Sequence, residues 1–225
     1  MTNMPSIPTP PPLGGVPRSG WGDGRPRGLA NATIGLTAGV AVLTLLGAWA
    51  ALSVYSDFRR YVGQDPVIDA PYLASQALQS LSSLLMIASY VTLSLWMTKI
   101  HKRLTDAGEH MPLGPAWAWF VWLIPVASIV MPYVYFRGLN RRAHAGTVEL
   151  WWLTYLGSGV ASIVGLVQVI AASNFSDAFK DPNDPFAGID MAPFGPAGVA
   201  SAIILAVSWV FLTMTIRTIT AHDID

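Results

Sequence analysis

Four stretches of the chain, Leu29–Tyr55, Leu73–Thr98, Leu150–Ser173 and Ala197–Ile216, each run for 20 residues or more without one charged side chain. A bilayer core of about 30 Å is crossed by about 20 apolar residues in a helix. Only a helix or a closed barrel satisfies its own backbone there. The expectation is an all-α membrane fold with four transmembrane helices. The ordinary alternative is a soluble protein with four buried helices. Of the 225 residues, 52% are apolar and 12% charged, against about 25% charged in a soluble domain. That leaves too little polar surface to dissolve the chain. Ala48-Trp49-Ala50 has the look of a cleavage site. The apolar run around it is longer than a signal-peptide core of about 7–15 residues, so it reads as a retained span.

Residues 1–28 hold seven prolines and six glycines and little that could repay the entropy of ordering. They read as a disordered, proline-rich cytoplasmic tail. Residues 29–220 are then the transmembrane domain, and 221–225 a short second tail.

Orientation follows the basic residues, which favour the cytoplasmic side. Arg18, Arg25, Arg27, Lys99, Lys102, Arg103, Arg137, Arg141, Arg142 and Arg217 fall on one side of a four-span arrangement. Only Arg59, Arg60 and Lys180 fall on the other, beside Asp57, Asp65, Asp69, Asp177, Asp181, Asp184 and Asp190. Both termini are therefore expected in the cytoplasm, and the plasma membrane is the expected location.

Residues 116–136 are apolar enough for a fifth span, but Pro125 and Pro132 interrupt them. An interior proline costs a helix about 3 kcal/mol, and a fifth span would erase the basic asymmetry. The expectation is a re-entrant or interfacial element between the second and third spans. It would have a short helix over Ala116–Ile124, a break at Pro125, and a return through Tyr133. Such backbone must be covered by protein, so packing against the four spans is expected. Trp117, Trp119 and Trp122 suit the headgroup level. Trp117, Trp119, Pro125, Pro132, Tyr133, Trp151 and Trp152 are read as structural.

A shift of 120 residues places Leu36, Gly39, Val40 and Ala41 on Leu156, Gly159, Val160 and Ala161, and Ser56-Asp57 on Ser176-Asp177. Two hairpins repeated in the same sense across the membrane would give this register. So would two apolar helices drawing on a small alphabet.

Ionisable residues inside a membrane mark relays and transport paths, and the middle of each span has none. Gln76, Gln79 and Gln168 read as interhelical hydrogen bonders. The four histidines fit no metal motif, there is no cysteine, and no nucleophile elbow or phosphate loop is present. No enzyme and no cofactor are expected. Lys+Arg and Asp+Glu balance at 13 each, which gives no sign of nucleic acid.

The richest constellation is a basic collar. Lys99, His101, Lys102 and Arg103 follow the second span, and Arg137, Arg141, Arg142 and His144 precede the third. Basic residues at a membrane surface contribute about 1 kcal/mol each toward anionic lipid. The expected partners are anionic headgroups, with a protein partner or a second copy of the chain beside them. A sharper form is a basic pocket roofed by the re-entrant segment.

The same stretch carries a resemblance. Ile100-His101-Lys102-Arg103-Leu104 is followed by Gly114-Pro115-Ala116-Trp117-Ala118-Trp119-Phe120, then Ile124-Pro125-Val126-Ala127, Pro132-Tyr133 and Trp151-Trp152. Over about residues 30–220 this resembles the bacterial family catalogued as domain of unknown function 4328, common in actinobacteria. Ser128 stands where that pattern has asparagine. The resemblance implies a multi-pass membrane domain behind a low-complexity cytoplasmic tail, and no activity. Two functions follow as expectations: an interaction or regulatory membrane component using its collar, or a small transporter or channel of two parallel hairpins. A continuous polar path would favour the second, and the sequence has none.

Overall fold

A computed structural model describes residues 26–62, 68–124, 126–141, 146–174, 186 and 188–222. Its elements are α1 (Arg27–Ser56), α2 (Phe58–Tyr61), α3 (Ala70–Asp106), α4 (Trp117–Phe120), a 3-10 turn (Ala127–Ile129), α5 (Met131–Leu139), α6 (Thr147–Ala172) and α7 (Phe194–His222). No strand occurs among the described residues. The four long helices α1, α3, α6 and α7 contain the four apolar stretches and are long and apolar enough to cross a membrane. Most of the expected N-terminal tail lies outside the described residues, and Arg27 and Gly28, assigned to that tail, already belong to α1.

The ends of α3 show why it is the longest helix. At its start the Asp69 carboxylate accepts the backbone N–H of Tyr72 at 3.2 Å, and a proline sits in the first turn. Both satisfy or remove N–H groups that a helix start leaves unpaired. The helix does not stop with the apolar run at Thr98 but carries Lys99–Arg103 about two further turns. It ends at Gly108, whose φ of 84° is open to glycine at little cost. The Gly108 N–H bonds the Thr105 carbonyl, and the Glu109 N–H bonds that of Leu104, both at 2.9 Å. Those are the paired bonds of a Schellman stop.

The long helices form a row, α3–α1–α7–α6, in which α1 packs along α3 and α7, and α7 along α6. Small residues set the close approaches. A Cβ on Gly39 would lie 2.9 Å from Leu85 Cδ1, and one on Gly165 only 2.5 Å from Ala197 Cβ. Hydroxyl pairs stitch each hairpin. Thr44 and Ser82 lie 3.1 Å apart, Ser162 donates to Ser201 at 2.9 Å, and Ser201 donates to the Ser158 carbonyl at 2.8 Å. The two hairpins run in the same sense, because Ala30, Met97, Val148 and Ile219, one from each long helix, share one core at the same end of the bundle. The glycines aligned by the 120-residue shift differ in use: Gly39 meets Leu85, whereas a Cβ on Gly159 would meet nothing within 4 Å.

Helices α3 and α6, at the two ends of the row, have no comparable packing on each other. Residues 116–136 fill that gap at the core end. Phe136 lies between Trp96 of α3 (ring centroids 6.0 Å apart) and Trp151 of α6 (4.5 Å). Tyr90 Oη donates to the Trp119 carbonyl at 2.6 Å. This wedge differs from expectation in two respects. Its first helix is one turn, Trp117–Phe120, not Ala116–Ile124, because bonds such as Trp119 N–H to Ala116 and Leu123 N–H to Phe120 span three residues. And its packing is uneven: it lies chiefly on the second and third spans, where the row leaves room, while sharing one core with residues of all four. Pro125 lies outside the described residues.

Candidate functional site

The wedge brings the two halves of the collar together and sorts them by burial. Lys99 and Lys102 are exposed, and Arg103 is half-buried. His101 is not part of the basic surface. It is 5% exposed, its Nδ1 is 3.1 Å from Tyr135 Oη, and the two rings stack at 5.8 Å. The pair joins α3 to α5. Arg142 and His144 lie outside the described residues.

Arg137 and Arg141 are exposed and edge a half-open cleft of about 560 Å³ between α5 and the start of α6. Tyr133, Arg137, Asn140, Arg141, Gly146 and Glu149 line it. The spacing Tyr133, Arg137, Arg141 is one residue every four, which stacks them on one side of α5 and its exit. Arg137 donates to Tyr133 Oη at 2.9 Å and its guanidinium lies over the Tyr133 ring at 5.8 Å. Its Nε is 3.9 Å from Glu149 Oε1, which Tyr133 Oη reaches at 3.5 Å. Arg141 donates to the His110 carbonyl at 2.8 Å, tying the cleft to the segment after α3.

Among the described residues the site therefore presents two guanidiniums and one carboxylate around a hollow that Pro112 and Val134 also line, with the start of α6 at its edge. Such a set can bind and orient an anion. Among the described residues no three His, Cys, Asp or Glu side chains come close enough to hold a metal.

The residues read as structural behave unevenly. Pro132, Trp151 and Trp152 are buried, and Trp117 and Trp119 are half-buried against the core. Tyr133 belongs to the cleft as much as to the packing. Glu149 and Asn140 were not among the sequence candidates. The four-residue spacing from Tyr133 to Arg141 was the available signal for the cleft, and nothing comparable pointed to Glu149.

Residues 59–221 match the family described as a domain of unknown function, DUF4328. The chain belongs to the DUF4328 family. The match takes in α3, the wedge, α6 and nearly all of α7, so every described collar and cleft residue lies within the DUF4328 domain. Helix α1 precedes it, though it packs between α3 and α7. No curated protein and no solved structure matches the chain.

Proposed function

We propose that this DUF4328 protein is a non-enzymatic, multi-pass component of the plasma membrane, of the interaction or regulatory class. Its collar faces the cytoplasm and engages anionic lipid headgroups. The observation that supports this most is the exposure of Lys99, Lys102, Arg137 and Arg141 at the end of the bundle where the aromatic wedge sits. Each contributes about 1 kcal/mol near an anionic leaflet, and the tryptophans suit the same depth.

Two measurements test the reading. Extracted with its surrounding lipid, the protein should carry anionic phospholipid above its proportion in the bulk membrane. Changing Lys99, Lys102, Arg137 and Arg141 together to glutamine should remove that enrichment; unchanged enrichment would end the proposal. For orientation, single cysteines at Asp57 and Asp190 should react on intact cells with a membrane-impermeant thiol reagent, and one at Lys102 should not. The chain has no native cysteine to interfere. Labelling at Lys102 alone would invert the topology.

A further inference from the structure

We infer that the cleft between α5 and α6 is a discrete binding site for one phosphate ester that carries hydrogen-bond donors beside its phosphate. This rests on the proposed headgroup contact and sharpens it from a charged surface to a single pocket. Three observations carry it.

The first is charge and geometry. Arg137 and Arg141 are one helical turn apart in sequence and both line the hollow. Guanidiniums present planar forks of N–H donors that match phosphate oxygens. Exposed lysines such as Lys99 and Lys102 attract the same anion only as point charges. Gly146, which opens α6, also lines the hollow, and the first turn of a helix adds unpaired N–H groups and a positive dipole end.

The second is Glu149. A hollow built for a bare phosphate has no use for a carboxylate, which would repel it. Here Glu149 is held in place by Tyr133 Oη and the Arg137 guanidinium. A carboxylate is an acceptor only, so it suits a hydroxyl or ammonium on the ligand. With two guanidiniums and one carboxylate, the described lining keeps a net positive charge and still rewards a donor.

The third is size. A volume of about 560 Å³ lies within the range of small-molecule sites, about 300–1,000 Å³, and far exceeds a phosphate ion. A glycerol phosphate or a similar polyol phosphate fits. It could come from a phospholipid headgroup or from a soluble molecule, and the chemistry at the cleft is the same for both.

The test uses the full chain in nanodiscs of phosphatidylcholine, titrated with phosphatidylglycerol or phosphatidic acid, and the detergent-solubilised protein titrated with glycerol phosphate and inorganic phosphate. One phosphatidylglycerol should be retained per protein in native mass spectrometry, more tightly than phosphatidic acid. Arg141→Gln should weaken it by tenfold or more, as loss of a charge-assisted bond does. Lys102→Gln, the same charge change outside the cleft, should cost no more than about fivefold. Glu149→Gln should erase the preference for phosphatidylglycerol over phosphatidic acid. Thermal midpoints of the variants without ligand check folding, and Arg141→Lys, which keeps the charge and loses the fork, should fall between Arg141→Gln and the parent. Glycerol phosphate that binds in detergent and displaces the lipid identifies a soluble source, and binding by lipid alone identifies a headgroup. Equal losses for Arg141→Gln and Lys102→Gln would overturn the cleft and leave the diffuse collar standing. No preference for anionic lipid in any variant would overturn both.

Discussion

Phe136→Ala should lower the stability of the bundle by about 3–5 kcal/mol, the cost of truncating a fully buried phenylalanine. In a thermal melt in detergent this is a fall on the order of 10 °C. Phe136 is completely buried and is the ring that joins the wedge to both α3 and α6 through Trp96 and Trp151. Among the described residues no other ring contacts both Trp96 and Trp151, so truncation removes packing on both helices at once. The matched control is Phe120→Ala, on the single turn α4, where the side chain is 52% exposed. It should change the midpoint little. Equal losses in the two variants would mean that the wedge is not held through Phe136.

The second large effect is expected where the hairpin α6–α7 is tightest. Gly165→Ala puts a Cβ 2.5 Å from the Cβ of Ala197, well inside the carbon–carbon optimum of about 3.5–4.0 Å. Both atoms are fixed to backbone, so the helices themselves must separate by about 1 Å. Overpacking of this kind costs about 1–3 kcal/mol. Separation also stretches the Ser162–Ser201 and Ser201–Ser158 bonds, each worth about 0.6 kcal/mol in a membrane bundle. A combined loss of about 3 kcal/mol is expected. Ala197→Gly should restore much of it in the double variant. Gly39→Ala meets only the far end of Leu85, which can turn aside, and Gly159→Ala meets nothing. A Gly165→Ala protein as stable as Gly159→Ala would show that α6 and α7 are not this close.

These particulars divide what could be read from the chain from what could not. The spans were legible because a bilayer imposes a length and a polarity that hydropathy reports directly. The short elements within residues 116–136 were legible in part: Pro132 sits in the first turn of α5, while Pro125 lies outside the described residues. The order of helices in the row was not. It depends on which small residue faces which neighbour: Gly165 facing Ala197 is a contact between residues that any apolar helix could carry. The burial of His101 had a usable signal. It stands four residues after Met97 and three before Leu104, both buried, so the helical period assigns it to the core. Its basic neighbours drew it into the collar instead. The cleft was half-legible: Arg137 and Arg141 were candidates, while Glu149 comes from the start of another helix and is brought in only by the fold.

Helix α7 is the last of the four spans in the chain, yet it lies inside the row, between α1 and α6. During synthesis, α1 and α3 can pair as soon as both have entered the bilayer. Helix α6 then arrives with no long neighbour to receive it, since its main partner has not been made. The aromatic wedge precedes α6 in the chain and links it to α3 through Phe136, which meets both Trp96 and Trp151. Only insertion of α7 locks the halves together, through Trp209 Nε1 to the Ile34 carbonyl at 3.2 Å and Ser208 Oγ to the Trp151 carbonyl at 3.2 Å. A chain interrupted before α7 should therefore keep α1 paired with α3 and leave α6 without its main packing partner.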